Sequence, residues 1–307
     1  MRRQGFGIIA VVLLLVASSA CSTTEVVTAP PGPQSQFPSP MAESVRAHGR
    51  VEDRVHPGRA DTIWAVLPAP AAVFLPEALT GATEVDLLIH FHGAGYVVRD
   101  AATQSGRGMV AVSVNLGAGS SVYERPFMGT NAFSALVDSV EEIVAPAAIR
   151  RVVLSSWSAG YGAVRAILRA YPGDIAGVIL LDGLHTDYVP DGVRLADGGA
   201  LNEAKMIPFR VFAERAVRGE TRMFVTHSEI FPGTYASTTE TAEYLASSLG
   251  LKREPALGWG PLGMQAISQT RAGRLVILGF AGNSAPDHVD HLHSLTSWVT
   301  LLMADGG

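Results

Sequence analysis

Ser156-Trp157-Ser158-Ala159-Gly160 sets a serine among small residues, between two segments of opposite habit. Ahead of it, residues 151–155 are apolar and β-branched, as in a buried strand. Behind it, residues 161–170 carry apolar side chains at helical spacing. Strand, sharp turn and helix together hold a serine in a strained conformation and lift its hydroxyl off the end of a sheet. Ser156 stands where the G-x-S-x-G form of this turn has its first glycine, one small residue for another. A serine hydroxyl is a poor nucleophile at neutral pH and needs a base beside it. The chemistry suggested is covalent acyl transfer by Ser158. A serine capping a helix is the plainer reading of the same residue, and the strand ahead of it argues for the nucleophile.

The base should follow the last strand-like run, 274–280, whose loop leads to His288, His291 and His293. His288 stands nearest the loop, where an imidazole can swing towards the serine, and is preferred; His291 is next. The spacing of His288 and His291 can also hold zinc. No further ligand set accompanies them, so neither metal nor other cofactor is expected. An acid must orient the base and stabilise its protonated form. Asp182 ends the run 178–182, and the C-terminal ends of strands are where open parallel sheets bind ligands. Glu229, after the run 222–226, is the alternative, with Asp187 and Asp287 as outsiders. Asp182 could equally cap a helix or close a loop. Backbone N–H groups must hold the oxyanion. Ala159 offers one directly after the serine, and the turn His92-Gly93-Ala94-Gly95 offers a second through Gly93 or Ala94. His90 and His92 are expected to brace that turn rather than react.

These residues need a frame. Strand-like runs at 62–67, 85–91, 109–114, 151–155, 176–182, 222–226 and 274–280 alternate with helical patterns at 131–144, 160–170, 201–218, 238–249 and 290–303. Such alternation predicts a mainly parallel sheet covered on both faces. Segment 185–220 is longer than a simple connection requires, which leaves room for a cap or lid. Polar residues 234–241 read as a helix cap or as a pocket wall.

With its strands in place, the chain resembles the α/β-hydrolase superfamily over roughly residues 60 to 305. The resemblance rests on the serine turn, on His90-Phe91-His92-Gly93-Ala94-Gly95 after an early strand, and on the order serine, acid, histidine. It implies an α/β-hydrolase fold with a helical cap inserted before the penultimate strand. It also implies a serine esterase or lipase with a Ser158–Asp182–His288 triad and an oxyanion hole from Gly93, Ala94 and Ala159. Most of the superfamily place the acid a few residues beyond the later strand; this chain has Phe231 there, which favours Asp182 over Glu229. A peptidase or amidase using the same triad, and a surface-binding lipoprotein without the chemistry, are the alternatives.

The N-terminus reads as a processing signal. Arg2 and Arg3 precede an apolar run at 6–17, and Ser18-Ser19-Ala20 leads into Cys21, the chain's only cysteine. The run is shorter than the about 20 residues that a membrane span needs. It resembles the signal peptide of bacterial lipoproteins, with 1–21 as signal and Cys21 as lipid acceptor. Residues 22–47 are rich in Ser, Thr and Pro and read as a flexible linker, leaving 48–307 as one catalytic domain. A lone cysteine excludes an intramolecular disulfide. A net charge of −5 without a basic run argues against nucleic acid. The expected partners are a small-molecule or lipid ester and a membrane reached through the lipid anchor. The expected place is the bacterial cell envelope, lipid-anchored and facing outside the cytoplasm; an ordinary secretory peptide, and so a secreted protein, is the alternative.

Overall fold

The computed structural model describes residues 50–105, 108–129 and 131–304, all within one compact unit, Ser35–Gly307. The signal, Cys21 and the linker lie outside the described residues. The chain forms β1 (Gly58–Ile63), β2 (Ala71–Pro76), β3 (Glu84–Phe91), α1 (Gly95–Gln104), β4 (Val110–Val114), α2 (Ser120–Glu124) and α3 (Ala132–Val144). Next come β5 (Ala148–Trp157), α4 (Tyr161–Ala170), β6 (Ile175–Leu181), a two-stranded ribbon of β7 (Tyr188–Val189) and β8 (Ala200–Leu201), α5 (Glu203–Val217) and β9 (Arg222–His227). The last part holds α6 (Thr238–Ser248), β10 (Glu254–Trp259), β11 (Gln265–Ala272), β12 (Leu275–Phe280), α7 (Ala285–His293) and α8 (Leu295–Ala304).

Ten strands make one sheet in the order β1-β2-β4-β3-β5-β6-β9-β12-β11-β10. The six from β4 to β12 in that order run parallel, so their C-terminal ends share one edge. Antiparallel pairs close both flanks. Every residue of β3 after Glu84 is buried, as a strand covered on both faces requires. Leu87, Ile89 and Phe91 enter a core shared with α3, α4, α5 and α6, while Leu88 enters a second core with α1 and α8. Truncating a fully buried side chain such as Leu154 costs about 2–5 kcal/mol.

Five differences from the sequence reading stand out. The run 62–67 is a strand only to Ile63, because Pro68 and Pro70 follow it. Strand β2 then forms at Ala71–Pro76, where the sequence reading placed no element. The β10–β11 hairpin was missed because β10 is almost wholly exposed and shows no alternation of burial. Segment 185–220 carries the small ribbon and then α5, whose Met206, Phe209 and Phe212 belong to the core. That helix is a crossover against the sheet, not a cap. The pattern at 290–303 breaks at Ser294, and α7 begins earlier, at a capping box between Ser284 and Asp287. His288 therefore stands in the first turn of a helix rather than in a loop.

Candidate active site

Strand β5 delivers Ser158 to the C-terminal edge of the sheet. Ser158 has φ +48°, in the left-handed region that costs a non-glycine residue of order 1–3 kcal/mol. A short 3-10 turn, Ser158–Gly160, then feeds α4. The turn is tight enough that a Cβ on Gly160 would lie 2.1 Å from the carbonyl oxygen of Phe91. Ser156 is fully buried and its hydroxyl has no hydrogen-bond partner among the described residues. An unsatisfied buried hydroxyl is the visible cost of serine where the pattern has glycine.

Asp182 follows β6 directly, has φ +41° and is 2% exposed. Its Oδ1 accepts the Ser228 backbone N–H at 2.9 Å and the Thr238 hydroxyl at 2.7 Å. Its Oδ2 accepts Nδ1–H of His288 at 2.7 Å. Burial alone would raise its pKa. The nearby His291, the hydrogen bond and charge of His288 and the Thr238 hydroxyl outweigh that, and hold the carboxyl well below its ordinary range. The bond at Nδ1 leaves Nε2 of His288 as the free nitrogen, the tautomer a general base requires. Ser158, Asp182 and His288 line one small cavity.

The other candidates make different contacts, although Asp187 lines a cavity that Ser158 also lines. His291 is buried and bonds Thr226 Oγ1 through Nδ1 at 2.8 Å. His293 Nδ1 accepts the Arg50 backbone N–H at 3.1 Å. Glu229 is exposed and accepts the Gly282 N–H at 3.3 Å, so it steadies the loop ahead of α7. Asp287 closes the capping box of α7, and Asp187 pairs with Lys205.

Strand β3 delivers the glycine turn. His92 has φ +70° and Gly93 φ +120°, and Ala94 caps α1. His90 Nε2–H donates to the His92 carbonyl at 2.7 Å while its Nδ1 accepts the Ser155 hydroxyl at 2.7 Å. The His92 N–H donates to Val114 O at 3.0 Å, and its Nδ1 pairs with the Tyr123 hydroxyl at 2.8 Å. Burial pushes the pKa of His90 down to about 4. Burial, then the charge of His288, takes His92 to about 4 as well. Both rings are neutral braces at neutral pH. The Gly93 N–H, one of the two expected donors of this turn, is occupied by Asn115 Oδ1 at 2.9 Å.

Trp157 ties the three parts together. Its ring stacks on His92 at 5.2 Å and 10°, and lies 4.6 Å from the ring of His288. Sequence reasoning missed Trp157, Asn115 and Tyr123 as parts of the site. Only Trp157, inside the serine pattern, carried a signal that could have drawn attention to it.

The strand order, the serine turn after β5 and the histidine after β12 define the α/β-hydrolase fold. The feruloyl esterase module from Clostridium thermocellum, solved as a mutant complexed with sinapinate, superposes with a TM-score of 0.52 at 11% identity, covering 86% of this chain and 96% of that one. An α/β-hydrolase enzyme from the metagenome of Lake Arreo, Spain, gives 0.49 at 14% identity, covering 81% and 84%. The likeness to the feruloyl esterase module speaks for the fold alone. No protein-family model matches the sequence, and no curated protein matches it.

Proposed function

We propose that the chain is a serine hydrolase that cleaves a carboxylic ester. The observation that carries this reading is the 2.7 Å bond between His288 Nδ1 and Asp182 Oδ2, in the wall of a cavity that Ser158 also lines. In this reading Ser158 Oγ attacks the ester carbon and His288 takes its proton. Asp182 stays ionised and stabilises the imidazolium. The N–H groups of Ala159 and Ala94 hold the oxyanion, and the glycine at 93 lets the turn adopt the shape that presents Ala94. Water, activated by the same histidine, then releases the acyl group. The likeness to the feruloyl esterase module supports an ester over an amide.

Treatment of residues 22–307 with a fluorophosphonate, followed by peptide mass spectrometry, tests the reading. The expected adduct is on Ser158, and it is lost in His288→Ala. Labelling at another serine, or equal labelling of His288→Ala, overturns it. Matched ester and amide substrates then separate esterase from amidase.

We also propose that Cys21 carries a lipid and anchors the enzyme outside the cytoplasm. Support comes from the pattern of residues 2–21 and from the absence of any other cysteine. Incorporation of labelled palmitate, lost in Cys21→Ala, is the expected result.

A further inference from the structure

Ser158 stands at the junction of two unequal cavities. The larger measures about 400 Å³ and is lined by His92, Ala159, Tyr161 and Thr186 among others. The smaller measures about 100 Å³ and is lined by Asp182, His288, Ile230, Pro232 and Thr238. Both share Ser158, His185 and Tyr235. The rings of His185 and Tyr235, which line both, pack edge to face with centroids 5.1 Å apart at 88°. His185 is fixed there, because its Nδ1–H donates to the carbonyl of Ala236 at 2.8 Å.

We infer that the larger cavity takes the acyl part of the substrate and the smaller one the alcohol, so that the enzyme hydrolyses esters of a bulky acid with a small alcohol. The inference rests on the hydrolase reading of this site. Its argument is one of proton and charge. The Oγ–C bond forms as the carbonyl opens, and the C–O bond to the alcohol then breaks. The proton that His288 took from Ser158 must pass to the departing oxygen, so the alcohol has to lie on the His288 side. The carbonyl oxygen must face the Ala159 N–H, which carries the acyl group to the other side. His288 lines only the smaller cavity of the two, and Ala159 only the larger. A volume of about 400 Å³ lies in the range of whole ligand pockets, whereas about 100 Å³ falls well below the ~300 Å³ at which that range begins.

The test uses two isomeric alkyl esters, methyl naphthylacetate and naphthylmethyl acetate. They carry the same ring on opposite sides of the ester, and their rates are divided by those of alkaline hydrolysis. The methyl ester is expected to lead in kcat/KM by about tenfold or more. In Ile230→Ala, which opens the smaller cavity, the ratio is expected to narrow. Equal or reversed rates in the native chain overturn the partition while Ser158 labelling leaves the hydrolase reading standing. Labelled Ser158 without turnover of the methyl ester does the same. Absence of both labelling and turnover overturns both readings together.

Discussion

The indole N–H of Trp157 donates to the backbone carbonyl of His288 at 2.9 Å. The residue before the proposed nucleophile thus holds the main chain of the proposed base, across 131 positions of sequence. Strand β5 and helix α7 belong to different layers, and this bond fixes one against the other where the strand ends and the helix begins.

Trp157→Phe keeps the ring and removes that donor. A hydrogen bond of about 1 kcal/mol corresponds to roughly fivefold in rate. Steady-state kinetics are expected to show kcat falling by about that factor with KM little changed. A rise in KM at constant kcat would show that Trp157 serves substrate binding instead.

The choice of acid is open to direct comparison. Asp182→Asn preserves shape and removes the charge, and is expected to lower kcat by about a thousandfold or more. Glu229→Gln is expected to stay within about twofold, since Glu229 is exposed and bonds only a loop N–H at 3.3 Å. Reversal of the two results would move the acid to Glu229.

Gly183 follows the acid and lies against the serine turn. A Cβ there would stand 2.5 Å from the carbonyl oxygen of Ser158 and 2.7 Å from its nitrogen, both backbone atoms that cannot swing aside. Gly183→Ala is expected to abolish fluorophosphonate labelling of Ser158. Gly173, whose Cβ would meet nothing within 4 Å, serves as the control, and Gly173→Ala should label as the native chain does.

Acid should weaken the fold before it touches the acid residue. His90, His92 and His227 are each held at about 4, chiefly by burial. The unfolded chain binds protons at these sites from about pH 6.5 downwards, so stability falls with pH between about 6.5 and 4 and the loss levels off below. Asp182 acts in the same direction, but over a lower pH range. Its contribution is present above the ordinary carboxylate value of about 4 and is lost only as pH falls through its depressed folded value. Urea midpoints measured from pH 7 to pH 4 should decline steadily, and a flat profile would contradict the neutral burial of the three imidazoles.

The parallel core was legible because buried strands such as 85–91 and 151–155 are nearly continuous apolar runs, and the serine turn because strand, small residues and helix are contiguous. Ser158, Asp182 and His288 were legible as candidates from chain order. Their mutual distances were not, since residues 182 and 288 meet only through the pairing of β6, β9 and β12. The flanking hairpin β10–β11 escaped because a strand with both faces wet has no period to read. The occupied N–H of Gly93 escaped for a related reason. Nothing near residue 93 announces that Asn115, on the neighbouring strand's end, will take it. Segment 185–220 misled through its length alone, when the apolar face of α5 already spoke for burial.

The turn at residues 92–94 is held by His90, Val114, Tyr123, Asn115 and Trp157 at once. Its order was settled when the chain folded, so substrate arriving there freezes no further motion. A scaffold arranged this way separates the part that must stay constant from the part that can drift. New specificities can arise in the segment carrying Ile230, Pro232 and Tyr235 without disturbing a single brace of that turn.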